Sequence, residues 1–554
     1  MLKEVTVWEA FERIVEECPD RIYVITPHEE RTYRQVHERA IAFAGYLTSC
    51  GLGAYTSRRE LENWESGQDH LAIYLGNGVP YLEAMLGALR ARVVPANVNY
   101  RYVADELAQL LDSAGATSIV YDEAFGPTLA AALADRQRPK VLVQVGGDHP
   151  VIAGAVMFDD AIAIGRGVAL EAVPEPDDLC IVCTGGTTGL PKAVIWRQSD
   201  LMAGMIGDRH LVSSGPVESV EDLVIGAGAG EYRVLMGPPL MHLTGFGMAL
   251  ILAMSGGTMV LADPPTGMDA ASLWRIAEQA KVDMLVVVGD AFGRPLLAEL
   301  QKRRYDTSAL RVIVNGAASM APDLKQALAA AVGGGVRVTD GIGSSESGVL
   351  ARSVRAGETR PGVFRPTPHA GIVAPDLDRF VAADDPTVGW LAGSGRLPLG
   401  YLNDPAKTSA TFPIVDGRRC TIPGDRARWL DDGSIEILGR DATTINTGGE
   451  KVFSDEVERI LVMHPAISEA LVVGRPSERW GQEVVALVVL QAGAQLDPGS
   501  VLTDSARHLA RYKLPKEFIV VERIERTAVG KADYAWAKTI AAQATTSSTS
   551  MTGS

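Results

Sequence analysis

The stretch Cys183-Thr184-Gly185-Gly186-Thr187-Thr188-Gly189-Leu190-Pro191-Lys192-Ala193 directly follows an apolar, strand-like run, Leu179-Cys180-Ile181-Val182. Glycine removes the Cβ and lets successive N–H groups point into one concavity. The threonine hydroxyls add donors, and Lys192 adds a movable positive charge. This is a backbone suited to wrapping a polyphosphate. A plain surface turn is the competing reading, and the density of donors counts against it. It is also not the common nucleotide P-loop, which sets Gly-Lys-Ser/Thr side by side at a helix mouth; here Leu190 and Pro191 separate Gly189 from Lys192.

Outward from this loop, helix-like and strand-like segments alternate. Trp8–Glu17 and Pro80–Leu89 read as helices, Leu71–Leu75 as a buried strand, and a strand is expected near Arg92–Val94. The alternation recurs at Ser272–Gln279 then Met284–Val288, and at Pro322–Ala331 then Val336–Val338. Such order predicts an α/β protein whose parallel-rich sheets are covered by helices. From about Gly389 to Leu438 short strands and turns predict a β-rich subdomain, with a hairpin turn at Asp431–Ser434. A small α+β unit is expected from Gly439, with a helix over Ser454–Met463 capped by Ser454 and strands at Val472, Val484–Val489 and Phe518–Val521. The expected domains are therefore 1–438, 439–540 and a disordered Ser/Thr-rich tail at 541–554. The charged stretch Ser57–Asp69 has no period and reads as a solvated surface insertion.

With 554 residues the chain is too long for one core. Its formal charge of −16 argues against a general nucleic-acid binder, so an anionic substrate must be caught by local positive groups. The five cysteines, Cys18, Cys50, Cys180, Cys183 and Cys420, are scattered and odd in number, which points to a reducing compartment. Cys180 and Cys183 should face opposite sides of one strand as core residues, not as a metal or redox pair. The run Val234–Ala262 carries no Asp, Glu, Lys or Arg, but Pro238, Pro239, His242 and Gly256-Gly257 break it into a loop, a short buried helix and a strand. No transmembrane span is expected, and Met1–Val5 lacks a signal-peptide pattern, so a cytoplasmic protein is expected.

The loop resembles the phosphate-binding motif of the adenylate-forming superfamily: acyl-CoA synthetases, luciferases and peptide-synthetase adenylation domains. The usual motif is Ser/Thr-Gly-Thr-Thr-Gly-x-Pro-Lys-Gly; this chain has Gly185-Gly186 for Ser-Gly and Ala193 for the last glycine, all small residues. The resemblance continues in the family's order along nearly the whole chain. Asn315-Gly316-Ala317-Ala318 resembles the turn that packs on adenine. Asp340-Gly341-Ile342-Gly343-Ser344-Ser345-Glu346 resembles Tyr-Gly-x-Thr-Glu, which implies that Glu346 holds Mg²⁺, Ser345 touches phosphate, and no aromatic ring stands at Ile342. Pro423-Gly424-Asp425 resembles Thr-Gly-Asp, whose aspartate takes the ribose hydroxyls. Gly439-Arg440 resembles the hinge, with Arg440 near ribose or phosphate. Thr447-Gly448-Gly449-Glu450-Lys451 resembles the glycine loop beside the pantetheine arm, and Arg479-Trp480-Gly481-Gln482 matches another small-domain segment in which Trp480 contacts CoA or simply packs. Arg526-Thr527-Ala528-Val529-Gly530-Lys531 resembles the mobile catalytic-lysine motif.

The resemblance implies an acyl-CoA synthetase using ATP, Mg²⁺ and CoA. The implied catalytic residues are Lys531, Glu346 and Thr184. Thr184, Gly185, Gly186, Thr187, Thr188, Gly189, Lys192, Asn315, Gly316, Ala317, Asp340, Gly341, Ser345, Asp425, Arg440 and Lys531 would hold the nucleotide, and Gly448, Gly449, Glu450, Lys451 and Trp480 the CoA. His242, Leu243, Thr244, Gly245, Gly289, Ile342 and Gly343 would line the acyl pocket. Small and aliphatic residues there, without a second cation, favour a hydrophobic acid over a short diacid. The wording Cys-Thr-Gly-Gly-Thr-Thr-Gly and Ile-Asn-Thr-Gly-Gly-Glu-Lys-Val-Phe looks like the actinobacterial fatty-acyl-CoA synthetases, some of which take steroid side-chain acids. The small domain would rotate between two half-reactions. Three other readings compete: an adenylation enzyme loading a carrier protein, a non-enzymatic nucleotide or acyl binder, and a serine hydrolase. The last lacks a Gly-x-Ser-x-Gly elbow. Partners are then small molecules, with no nucleic acid and no integral membrane contact; a homo-oligomer is compatible with the sequence.

Overall fold

The computed structural model describes residues 4–185, 191–206, 217–262, 268–316, 320–333, 335–353, 362–440, 444–447, 450–477, 481–509, 511–526 and 532–549. The chain forms two compact units: Met1–Leu350 with Ser394–Pro413 and Arg419–Thr421, and Ala351–Gly393 with Ile414–Arg418 and Ile422–Ser554.

Two sheets carry the first unit. One has eight strands in the order Gly400–Tyr401, Pro191–Arg197, Leu179–Gly185, Val94–Asn97, His70–Tyr74, Ser118–Asp122, Val141–Val145, Val156–Met157. It is parallel from Leu179–Gly185 onward. Pro191–Arg197 and Gly400–Tyr401 close its edge as antiparallel strands. His70–Tyr74 is buried at every position, as a parallel strand covered on both faces must be. In the other sheet Ile22–Ile25, Thr258–Leu261, Arg233–Met236, Met284–Val287, Val312–Asn315 and Arg337–Ser344 lie side by side and parallel.

Three helices begin where a side chain supplies an acceptor for their first free N–H groups. Thr6 caps Val7–Glu17, Thr32 and Gln35 form a reciprocal capping box on Tyr33–Ser49, and Asp269 caps Ala270–Ala280. The apolar faces of Val7–Glu17 and Tyr33–Ser49 meet in a core that joins Trp8, Phe11, Phe43, Tyr81, Cys180, Trp196 and Phe246, while Ala270–Ala280 packs its Leu273 and Trp274 into a separate core with Val287 and Leu296. Tyr74, Val94, Tyr121, Ile181 and Cys183 form another core on the opposite face of the eight-stranded sheet. Each fully buried large apolar side chain contributes roughly 1.5–3 kcal/mol. Cys180 and Cys183 thus lie on opposite faces of one strand, as the strand period requires.

The charge-free run resolves into the strand Arg233–Met236, the helix Leu243–Ser255 and the strand Thr258–Leu261; among the described residues no helix is long and apolar enough to cross a membrane. The strand expected near Arg92 starts at Val94, because Arg92 takes a left-handed turn with φ 58°. The 57–69 stretch is anchored, not merely solvated: Gln68 donates to Arg92 O at 2.8 Å and Asp178 Oδ1 at 3.2 Å and accepts from Leu179 N at 2.9 Å. Asn403 N also donates to Trp64 O at 2.8 Å.

In the second unit Asp425–Trp429 and Ile435–Arg440 form a hairpin around Asp431–Ser434, flanked by Val363–Pro366 and Gly389–Ser394. A further sheet orders Glu450–Phe453, Thr444–Thr447, Gly481–Leu490 and Ile467–Ser477, with Glu517–Val520 pairing parallel to Gly481–Leu490. Its helix Ser454–Leu461 has Phe453 at the N-cap position, with no side-chain capping bond, so Ser454 is the first helical residue and not the expected cap. Of the tail 541–554 expected to be disordered, the residues as far as Thr549 continue the helix Tyr534–Thr549, and 550–554 lie outside the described residues. Buried Ala541 and Ala537 pack with Val473 and Leu487, and Arg475 Nη1 donates to Ala541 O at 3.2 Å. Apolar alanines spaced four apart outweighed the Ser/Thr content.

Candidate active site

The donor-rich loop joins two antiparallel strands. Thr184 pairs directly with Lys192, and Gly185 with Pro191; Gly186, Thr187, Thr188 and Gly189 lie outside the described residues. The incoming strand is pinned by Asn97. The parallel ladder between Val94–Asn97 and Leu179–Gly185 has its Cα pair at Ala96 and Ile181, and beyond it the Asn97 side chain takes over. Its Oδ1 accepts from Cys183 N at 2.8 Å and its Nδ2 donates to Cys183 O at 3.3 Å. Nδ2 also donates to Met241 O, next to His242. Asn97 is 1% exposed, so water does not offer substitutes for these bonds.

Three parallel strands end together nearby. Asn315 Oδ1 accepts from Gly289 N at 2.6 Å, Asn315 Nδ2 donates to Asp340 Oδ1 at 2.8 Å, and Lys325 Nζ pairs with Asp340 Oδ2. The expected adenine-side residues Asn315 and Asp340 and the expected pocket residue Gly289 therefore share one network at the carboxyl ends of a parallel sheet, where such sheets bind ligands, with Gly316 and Gly341 next to them in the chain. Thr244 Cγ2 lies 4.0 Å from where a Gly316 Cβ would stand. The segment ahead of it is held by Asn77, which accepts from Leu240 N at 2.9 Å, and by Tyr81, which donates to Leu240 O at 3.0 Å. His242, Leu243 and Gly245 open the helix Leu243–Ser255, with His242 at its N-cap. Ala317 lies outside the described residues.

Asp340–Ser344 is part of the strand Arg337–Ser344, and a tight turn follows it. A Cβ at Gly343 would run into Gly348 O, so this turn requires glycine there, beside Ile342. Ser344 N donates to Ser347 Oγ at 3.0 Å, and Glu346 N to Ser344 Oγ at 3.2 Å. The fully buried Trp196 donates Nε1–H to Ser345 O at 3.0 Å. Tyr401, paired across the sheet with Val194, donates its hydroxyl to Glu346 Oε1 at 2.8 Å. Burial, and then the adjoining Glu346, holds this phenol well above its ordinary range, so it remains a donor. Lys407 stands over the Tyr401 ring, Nζ 5.1 Å from its centroid, and Lys192 is among the charges that act on it. Burial, then Lys192, brings the Lys407 ammonium down to about 8. Lys192, Tyr401, Lys407 and Glu346 thus converge beside the hairpin.

In the second unit Asp425 pairs directly across the strands with Arg440. Gly439 has φ 127°, and a Cβ there would lie 3.2 Å from Asp455 Cβ, so the backbone at the expected hinge is one that glycine alone accepts without strain. Glu450 and Lys451 start the strand Glu450–Phe453, paired with Thr444–Thr447. Gly448, Gly449, Trp480 and Lys531 lie outside the described residues.

Sequence reasoning did not single out Asn97, Trp196, Tyr401, Lys325 or Lys407. One asparagine at the end of the apolar run Val94-Pro95-Ala96 was a usable signal, since a buried amide needs partners. Nothing local marked Tyr401 or Lys407.

Residues 11–389 match the AMP-binding enzyme family, and residues 456–531 match the AMP-binding enzyme C-terminal domain. The chain is similar to a medium-chain acyl-CoA ligase, Mig, of Mycobacterium avium: 43% identical over 527 residues, covering 94% of this chain and 95% of that one. It is 34% identical over 538 residues to a medium/long-chain-fatty-acid–CoA/3-oxocholest-4-en-26-oate–CoA ligase of Mycobacterium marinum, covering 95% of each. In fold it is similar to an anthranilate CoA ligase, AuaEII, solved with anthranoyl-AMP, with TM-score 0.80, 20% identity and coverage of 97% and 98% of the two chains.

Proposed function

The chain belongs to the AMP-binding enzymes, and from that premise we propose that it is an acyl-CoA synthetase that activates a hydrophobic carboxylic acid, a medium- or long-chain fatty acid or a steroid side-chain acid. The observation that carries this reading is the gathering of Lys192, Glu346 and Tyr401 at the Thr184–Lys192 hairpin, beside the strand ends that hold Asn315 and Asp340. The names of the relatives support the choice of acid and acceptor.

Two half-reactions follow. In the first, a carboxylate oxygen attacks the α-phosphorus of ATP, its bond to that phosphorus forms, and the bond to pyrophosphate breaks. No proton moves, but two anions must meet, so positive charge at fixed positions is the main requirement. Lys192 and the hairpin N–H groups would bind the phosphates, the Asn315–Asp340 corner the base, Ser345 a phosphate, and Asp425 the ribose. Lys531 would bridge the acid and the α-phosphate. Glu346 offers hard oxygens held in place by Tyr401, and the described residues contain no group of three or more His, Cys, Asp or Glu that could hold a metal. That donor set fits Mg²⁺, which characteristically takes one or two carboxylates and completes its shell with phosphate oxygens and water; when bound it would neutralise phosphate charge. In the second half-reaction the CoA thiol gives its proton to solvent, its sulfur attacks the acyl carbonyl carbon, and AMP leaves with the bonding electrons. Gly448, Gly449, Glu450, Lys451 and Trp480 would then face CoA, brought there by a turn of the 439–540 domain about Gly439–Asp441. A cytoplasmic enzyme is part of this proposal; among the described residues no helix is long and apolar enough to cross a membrane.

The test is ATP- and Mg²⁺-dependent pyrophosphate release with free CoA, across fatty acids of graded length and steroid carboxylic acids. Acyl-CoA formation with either class is the expected result. Pyrophosphate release without any CoA thioester would turn the reading to carrier-protein loading. Protein that binds ATP but releases no pyrophosphate with any acid would sink it.

A further inference from the structure

We propose that Lys407 is a second phosphate-binding cation, acting with Lys192 on the pyrophosphate part of the nucleotide as it leaves. This rests on the adenylate-forming reading above.

Three observations carry it. Lys407 Nζ stands 5.1 Å from the centroid of the Tyr401 ring, and Tyr401 pairs across the sheet with Val194, two residues along the strand from Lys192, so the two ammonium groups lie on the same side of the hairpin and Lys192 acts on Lys407. Among the described residues neither ammonium has a carboxylate at ion-pair distance: the nearest acidic influences on Lys407 are Asp404 and Glu346. Two like charges brought together repel, and the repulsion is larger where burial lowers the effective dielectric. Such a pair is poorly placed without an anion and well placed with one that carries several charges. The position is also built. Asp404 caps the helix Pro405–Thr411 by accepting from Lys407 N. Asn403, in a left-handed turn with φ 55°, is tied by its N–H to Trp64 O at 2.8 Å. Thr408 Oγ1 accepts from Tyr401 N at 3.0 Å. The Tyr401 ring under Lys407 keeps the ammonium from folding away.

Lys407 should act only where pyrophosphate is bound or leaving. Thioester formation from acyl-adenylate involves no pyrophosphate. The experiment compares wild type with Lys407→Met, which keeps the aliphatic stem, and Lys407→Arg, after thermal unfolding shows that each variant folds. Inorganic pyrophosphate binding is measured by calorimetry, ATP–pyrophosphate exchange by isotope, and CoA thioester formation from preformed acyl-adenylate separately. The expected result is at least tenfold weaker pyrophosphate binding and at least tenfold slower exchange in Lys407→Met, partial recovery in Lys407→Arg, and an unchanged second half-reaction. Wild-type pyrophosphate affinity and exchange in a folded Lys407→Met would overturn the inference, and so would equal losses in both half-reactions. A wild-type protein that catalyses no exchange with any acid would instead overturn the adenylate-forming reading itself.

Discussion

Replacing Asn97 by leucine should damage the site from behind. Leucine has nearly the same shape, so packing survives and the lost bonds stand alone. The exchange leaves Cys183 N–H, Cys183 C=O and Met241 C=O without the partner that Asn97 supplies. These groups sit where the parallel ladder ends, and Asn97 is buried, so water cannot replace it. An orphaned buried polar group costs about 1–3 kcal/mol, giving roughly 3–6 kcal/mol for the three together after partial relaxation. In a unit this large each kcal/mol lowers the melting point by about 2 °C or less, so a drop of roughly 5–10 °C is expected by calorimetry. Thr184 and the glycine loop follow Cys183 directly, so a strand end freed by even 1.4 kcal/mol of lost restraint raises the KM for ATP about tenfold. A leucine variant that melts within about 2 °C of wild type and keeps the wild-type KM for ATP would refute the argument that Asn97 holds the loop.

Other outcomes follow from the same contacts. Lys531→Ala should abolish adenylate formation yet spare thioester formation from preformed acyl-adenylate; equal loss of both half-reactions would contradict that role. Tyr401→Phe removes a hydrogen bond to a carboxylate, worth about 1.5–3 kcal/mol, from Glu346. Its adenylation rate should fall roughly 10- to 100-fold with a changed Mg²⁺ dependence and little change in melting, and an unaltered Mg²⁺ titration would reject the link. Glu83, 1% exposed beside Arg39, has its carboxyl raised by burial, against the pull of Arg39, to about 7. A raised acid favours its protonated form in the fold, so its contribution is present below about pH 4.5 and is lost as pH rises through about 7. The shift corresponds to about 3 kcal/mol. From pH 5 to pH 8, denaturant unfolding should therefore show Glu83→Gln gaining on wild type by up to that amount, and a constant difference would reject it.

What the chain declares by itself is what local chemistry can encode. The apolar periods gave the alternating strands and helices, and the glycine- and threonine-rich hairpin with Lys192 announced a polyphosphate site. The ordered motifs around Asn315, Asp340–Glu346 and Asp425 then carried the family resemblance. Local reading also erred by local amounts: Ser454 fell one place from its cap, and the stretch from Ala541 to Thr549 is helical where Ala537 and Ala541 found a sheet to pack on. Only the tertiary structure brought Trp196 to Ser345, 149 residues away, Asn97 to Cys183, 86 away, and Tyr401 to Glu346, 55 away. No pattern in a neighbourhood of ten residues distinguishes such side chains from ordinary core or surface positions. Their roles arise because parallel strands, which must be joined by long crossovers, set residues distant in sequence side by side at one end of a sheet. The same crossing of distant segments put Lys407 next to Lys192, a juxtaposition of like charges that neither segment reveals alone.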